Sequence, residues 1–326
     1  MAMKEKGGRS SFLVVGIGEL LWDLLPEGAE LGGTVSNTAV MAGRLGDRAV
    51  CASRLGDDEL GRRARARLAE LPIDSTLLQL DPLHATGAVD VVLKAGQPEY
   101  EIRYPAAWDF LELTPAWRDL AGAADAVCFG TLAQRSPISR GTIQGFLAAT
   151  RPECVRLLDA NLRAPFYSAE SVAEPLLRTT VLKMNDGELP EILRLLGLPG
   201  GGERGAAVEP EALLAGSRRL LDAFPLELVC ITMGSQGSLL VSRGEWRRHP
   251  GIPTAVVDSV GAGDAFTAAL LHHFLRRAPL AAINEAGNRC GAWVASRRGA
   301  MPALDSATLH AVTQAAAAPE GQPGVC

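Results

Sequence analysis

Lysine is nearly missing from this 326-residue chain: only Lys4, Lys6, Lys94 and Lys183 occur, and arginine carries the rest of the positive charge. None of the four follows a glycine, so a phosphate loop of the GxxxxGK[ST] type is excluded. Aromatic residues make up only 5% of the chain, and long apolar runs are lacking. The run Phe12–Ile17 is too short, and too soon followed by Glu19 and Asp23, to read as a signal or membrane segment. The six cysteines, at 51, 128, 154, 230, 290 and 326, form no CxxC and no close pair. That spacing suggests neither a zinc site nor a disulfide framework, and it fits a reducing compartment. A net charge of −5 argues against a nucleic-acid or membrane-surface partner, so the expectation is a cytoplasmic protein.

What is present is ordinary for a globular protein: 47% hydrophobic and 21% charged residues. At this length an α/β enzyme can form one domain. Phe12–Ile17, Val50–Arg54, Ala126–Gly130, Val155–Asp159, Thr180–Met184 and Leu228–Met233 read as short buried strands, with helix-length segments between most of them. Helices are expected over Gly32–Leu45, from the turn at Gly56 to Leu71, and over about 263–276 and 281–296. Residues 86–104 differ. Val89, Val91 and Leu93 alternate with smaller or polar residues, Gly96-Gln-Pro98 makes a turn, and Tyr100, Ile102 and Tyr104 alternate again. This predicts a β-hairpin with one solvated face, set as a flap over a doubly wound, mostly parallel sheet. Residues 1–10 and 315–326 read as frayed tails.

The chemistry concentrates in Asp258-Ser-Val-Gly-Ala-Gly-Asp264, ahead of a long apolar helix. A Gly261-Ala262-Gly263 turn can aim bare N–H groups at an anion, and a helix N-terminus favours negative charge. Asp264 could take a proton from an attacking hydroxyl, or could simply cap the helix. Other polar groups also fall at strand ends, where ligands gather in open α/β sheets. Asp23 could accept bonds from sugar hydroxyls or could be a turn residue. Gly32 and Gly33 permit close backbone approach, with Asn37 as donor and acceptor or as a cap. Asp159-Ala-Asn161-Leu-Arg163 offers a guanidinium for a hydroxyl-rich or anionic ligand, or a structural ion pair. Asn185 and Glu188, at i, i+3, suit either Mg²⁺ or a capping box. Thr232, Gly234 and Gly237 form a glycine loop fit to line a nucleotide, or a plain turn.

With these residues in hand, the chain resembles the PfkB carbohydrate kinases, which have the ribokinase-like fold, from about residue 13 to 302. Gly32-Gly-x-x-x-Asn37-x-Ala39 looks like the family's first signature, and Asp258-Ser-x-Gly-Ala-Gly-Asp264 like its second. Asn185-x-x-Glu188 is similar to its Mg²⁺-associated motif. Gly18-Glu-x-x-x-Asp23 with Pro26, Ala107-Trp-Asp109 and Asn161–Tyr167 look most like bacterial fructokinases. The resemblance implies a single kinase domain with a β lid over about 20–33 and 86–106, and ATP-dependent phosphorylation of a free sugar, D-fructose first. Asp264 would be the base and Gly261–Gly263 the anion hole. Asp23, Gly32, Gly33 and Asn37 would hold the sugar. Lys183, Asn185, Thr232, Gly234, Gly237 and Asn288 would line the nucleotide. Asn185 and Glu188 would organise Mg²⁺ through water, and Asp258 and Val260 a K⁺ ion. Arg103 and Arg163 could instead bind the carboxylate of an acidic sugar such as 2-keto-3-deoxygluconate. Another sugar or nucleoside kinase of the family, a homodimer contact through the lid, and a non-catalytic sugar- or nucleotide-binding protein on the same scaffold complete the expectations.

Overall fold

The computed structural model describes residues 11–25, 28–94, 97–205 and 209–315, with the side chains of 91–100 outside the description. Pro26, Gly96, the side chain of Tyr100 and nearly all of both expected tails therefore lie outside the described residues. The central sheet begins with β1 (Leu13–Ile17), an unbroken apolar segment buried at all five positions. Such runs are what a strand covered on both faces requires. Beside β1, in parallel, lie β4 (Arg48–Ala52) and β9 (Ala126–Gly130). Beyond β9 follow β10 (Val155–Asp159), β11 (Val181–Asn185) and β12 (Leu228–Thr232), still parallel. Two antiparallel strands, β13 (Ser238–Ser242) and β14 (Trp246–His249), complete an eight-stranded sheet ordered β14-β13-β12-β11-β10-β9-β1-β4. The chain leaves β1 towards β4 and later returns on the other side of it at β9. The topological switch therefore falls between β1 and β9, where this fold class forms its crevice.

Helices cover both faces. One layer holds α3 (Pro115–Ala123), α4 (Pro137–Ala148), α5 (Ala169–Leu176), α6 (Leu189–Leu195) and α7 (Pro210–Ala223), packed on a core that includes Phe129, Phe146 and Leu182. The other holds α1 (Thr34–Arg44), α8 (Ala262–Leu275), α9 (Leu280–Ala295) and α10 (Ser306–Thr313), on Val14, Leu157 and Leu240. Helix α8 is apolar nearly all round, with Ala265 to His273 buried continuously, as befits a helix enclosed by neighbours. A smaller core around Trp22, Leu31 and Leu55 seats α2 (Glu59–Ala69), whose first turn is capped by Asp58 accepting the N–H of Gly61 at 2.7 Å.

A second, four-stranded sheet stands apart, ordered β3-β2-β7-β8: β2 (Leu21–Leu25), β3 (Gly28–Gly32), β7 (Gly87–Lys94) and β8 (Gln97–Ile102). β7 and β8 pair antiparallel as the alternation predicts. The predicted strand Val50–Arg54 divides, because Ser53 ends β4 and the chain restarts as β5 (Arg54–Gly56), paired with β6 (Gln79–Asp81). Ser53 donates to the carbonyl of Gly18 at 2.6 Å, which ties that break to the end of β1.

Candidate active site

The C-terminal ends of β10 and β11 reach the first turns of α8, where Asp159 accepts from Thr267 at 3.3 Å and Lys183 lies under Gly263. Gly261 caps that helix with φ 77°, and a Cβ there would come within 2.5 Å of the Ala300 backbone, so only glycine fits. The N–H groups of a first helical turn have no i−4 carbonyl to bind, and here they belong to Ala262, Gly263 and Asp264. Ala262 makes one long bond, to the carbonyl of Ser259 at 3.3 Å.

Asp264 sits in that turn. Its Oδ2 accepts a hydrogen bond from Asn37 Nδ2 at 2.8 Å, across the contact between α1 and α8. Burial lifts its pKa to about 6, aided by the charge of Asp159 and opposed by Lys183, Asn37 and Arg163. The Oδ1 of Asn37 is buried and unpartnered. Asn37 is placed by Gly33, whose φ of 119° starts α1 hard against the carbonyl of Glu19; a Cβ at Gly33 would lie 2.5 Å from that oxygen.

Asp23 lies on β2, with Oδ2 3.0 Å from where a Cβ on Gly32 would stand. Strand alternation turns its neighbour Trp22 the other way, where the indole donates to Leu60 O at 2.9 Å. Burial and Glu30, directly across on β3, raise Asp23 to about 6 against the pull of Arg163. Arg163 thus acts on both Asp23 and Asp264. It is exposed, and the one hydrogen bond its guanidinium makes among the described residues is to Leu162 O at 3.3 Å. Asn161 is held by Thr34, its amide donating to the hydroxyl at 2.5 Å.

Several expected ligand groups are engaged elsewhere. Arg103 forms a two-pronged pair with Asp90 on β7, at 2.7 and 2.8 Å, so its charge is engaged by that carboxylate. Lys183 is buried, not spread along a nucleotide cleft. Its ammonium bonds Asp159 at 2.9 and 3.2 Å and stands 3.1 Å from where a Cβ on Gly263 would lie, directly below the helix terminus. Burial alone would lower its pKa, but Asp159 and Asp264 hold it well above the usual lysine value. Asn288 gives its amide to Ser238 at 2.7 Å and to Asn284 O at 2.8 Å, so its amide nitrogen is engaged within the protein. Thr232 is partly buried, Gly234 is exposed, and Gly237 is pressed against His249 O, 2.0 Å from where its Cβ would be.

At the metal motif the two readings of the spacing meet in one carboxylate. Glu188 folds back so that its oxygens accept the N–H groups of Asn185 (2.9 Å) and Leu162 (2.7 Å), and α6 starts after it. It is a brace between β10 and β11, with only its remaining lone pairs to offer a hydrated ion. Asp258 is similarly engaged, accepting the N–H groups of Val260 and Gly299, each at 3.0 Å. Among the described residues no group of three His, Cys, Asp or Glu side chains is placed to hold a metal.

Two features have no counterpart among the expected site residues. One is Glu19, fully buried beside Gly33. The other is Arg135, whose guanidinium bonds Asp109 at 2.8 Å twice and Arg103 O at 2.7 Å, and packs on the rings of Trp108, Phe166 and Tyr104. It ties the connection that leaves β8 to the ends of β9 and β10. The signal in the sequence was Asp109 beside Trp108, a carboxylate too apolar in its surroundings to stand without a cation.

Residues 28–307 match the model of the pfkB family of carbohydrate kinases. A fructokinase of Klebsiella pneumoniae is 29% identical over 88% of this chain and 94% of its own. Fructokinase-2 of Solanum lycopersicum is 27% identical over 94% and 97%. The crystal structure of a fructokinase from Vibrio cholerae with fructose, ADP and calcium superposes with a TM-score of 0.76 at 26% identity, covering 94% of this chain and all of that one. A sugar kinase of Pyrococcus horikoshii in complex with ATP gives 0.73 at 25% identity, over 88% and 93%. The chain belongs to the pfkB family of carbohydrate kinases and is a sugar kinase.

Proposed function

We propose that this kinase transfers the γ-phosphoryl group of ATP to a hydroxyl of a free sugar, D-fructose, with Asp264 as base and the turn Gly261–Gly263 as anion hole. The observation that carries the mechanism is the position of Asp264, one turn into α8, bonded to Asn37 and within the field of Arg163. The sugar would lie between Asp23, Gly32, Gly33 and Asn37, and the triphosphate would meet the N-terminus of α8. The attacking hydroxyl oxygen forms the new bond to phosphorus as the bond to ADP breaks, and its proton passes to Asp264. Such transfer is loose, so orientation and fixed charge matter more than base strength. Lys183, under Gly263, adds positive charge below the hole.

Mg²⁺ would be held through water near Asn185 and Glu188, where it neutralises phosphate charge. A K⁺ effect through the loop at Asp258 and Val260 is a subsidiary expectation, checked by exchanging K⁺ for Na⁺ in the assay. The four-stranded sheet, carrying Asp23, would act as the lid. Fructose is favoured by the fructokinases among the relatives. An acidic sugar remains the second reading because Arg163 has no ion-pair partner among the described residues. ADP release over fructose, ribose, 2-keto-3-deoxygluconate and nucleosides decides. Turnover of fructose at a kcat/KM at least tenfold above the others is expected, and turnover of the acid alone would replace the first reading by the second.

A further inference from the structure

Glu19 closes β1 at the topological switch, and the mechanism proposed above gives it no task. It is 2% exposed. Its Oε1 accepts the N–H of Thr34, the first residue of α1, at 3.2 Å. Its Oε2 is buried and has no hydrogen-bond partner. The end of β9 approaches that oxygen at Gly130, where an added Cβ would lie 3.9 Å away.

The groups facing Glu19 come from four elements, and none is a cation. They are Cys51 on β4, Cys128 on β9, Asp159 on β10 and Asp264 on α8. Helix α1 contributes backbone N–H and neutral side chains. The nearest ammonium of the cluster, Lys183 on β11, is bonded to Asp159. Among the described residues Glu19 makes no ion pair. An ionised carboxylate here would leave one oxygen without a donor and add a negative charge to a cluster in which Asp159, Asp264 and Glu188 already act on the one ammonium of Lys183, and an uncompensated buried charge is costly.

We propose that Glu19 is a positioning residue that works as the neutral acid. Its Oε1 fixes the first turn of α1, and with it Asn37, against Asp264. Its proton keeps a further negative charge away from the phosphoryl group in transit. Burial, with Asp264 and Asp159 acting in the same direction, outweighs the opposing backbone N–H groups of Glu19 and Thr34 and raises its pKa from the ordinary 4.5 to about 7. Ionisation therefore falls within the range of a normal assay. The effect on rate rests on the kinase mechanism above, whereas the protonation state is a property of the fold alone.

The test is Glu19→Gln, which keeps a carbonyl for Thr34 and never ionises. A carboxyl whose folded pKa is raised contributes stability that is fully present below its unfolded value and lost as pH rises through the folded one. The melting temperature of Glu19→Gln relative to the parent should therefore climb by about 2 °C or more between about pH 5.5 and about pH 8.5. A difference that is constant, or that falls with pH, overturns the proposal. In the same range kcat of the parent should decline above about pH 7 as Glu19 ionises, and the variant should lack that limb. A limb shared by both proteins overturns the charge argument. The melting experiment needs neither sugar nor ATP, so its outcome is independent of the substrate assignment. If Glu19→Gln does not fold, infrared titration of Asp264→Asn and Asp23→Asn supplies the readout. A protonated-carboxyl band that fades near pH 7 in both supports a protonated Glu19, and its absence in both overturns it.

Discussion

Helix α8 meets a buried carboxylate at each end, and the surroundings of the two are opposite. At the C-terminus Asp47 accepts four hydrogen bonds: from Phe12 N at 3.1 Å, His272 Nδ1 at 2.7 Å and Arg276 at 2.8 and 3.3 Å. Burial would raise its pKa, but these donors outweigh it and hold the carboxyl below the usual range. At the N-terminus Asp264 has one side-chain donor, Glu19 has an empty oxygen, and both are pushed up. The satisfied end is a rivet. The unsatisfied end has lone pairs and N–H groups left over for ligands, which is how a site differs from a scaffold built of the same residue types.

The strongest way to break this contrast is to neutralise each end in turn. Asp264→Asn should lower kcat by a factor of about 10²–10⁴ while leaving the melting temperature at pH 8 unchanged or higher. A comparable kcat with a lower melting temperature would make Asp264 the rivet. Asp47→Ala should do the reverse. It removes the carboxylate that His272 and Arg276 share and the acceptor of Phe12 N–H, costing about 2–4 kcal/mol in denaturant titration, with sugar and ATP KM within about twofold.

Acid separates the ends less drastically. Asp264 and Asp23, both near 6, must be ionised to accept protons or sugar hydroxyls, so kcat/KM for the sugar should fall on acidification through that value. Asp47, with its depressed folded pKa, contributes stability that is present above the ordinary 3.8 and lost only as pH falls through the lower value. At pH 5 circular dichroism should therefore report an intact fold and a coupled ADP assay a weakened enzyme. The smallest expected effect compares two arginines. Arg163→Ala should raise sugar KM by about tenfold, whereas Arg103→Ala, whose exposed pair with Asp90 is worth at most about 1 kcal/mol, should change it by less than about threefold. Equal effects would mean that Asp90 releases Arg103 when sugar binds.

The parallel strands were legible because each is a short apolar run ended by glycine or polar residues, and the hairpin because Val89, Val91 and Leu93, then Tyr100, Ile102 and Tyr104, recur at every second position around a Gly-Gln-Pro turn. The antiparallel strands β13 and β14 were not, since Trp246–His249 is mostly charged or polar and Ser238–Ser242 is bounded by serines. Of the site, the glycine turns and Asp264 were readable because backbone conformation and helix start demand particular residue types. Side-chain partners were not readable. Lys183, Arg103 and Asn288 each carry the right chemistry for a ligand, but neighbouring strands and helices in register supply Asp159, Asp90 and Ser238 first. Glu19 was legible as part of the Gly18-Glu-x-x-x-Asp23 motif but not in its role, because a carboxylate without a cation is visible only once its surroundings are known.

One feature bears on fidelity. Asn37 is fixed to the central core, since α1 presses on β1 so closely that a Cβ at Gly16 would lie 2.2 Å from Val35 O. Asp23, the other expected wall of the sugar site, belongs to the separate sheet. On the proposed reading a sugar would touch both walls at once, so recognition of the acceptor and its presentation to Asp264 would coincide; ADP release without sugar should then be small beside that with fructose in the same coupled assay.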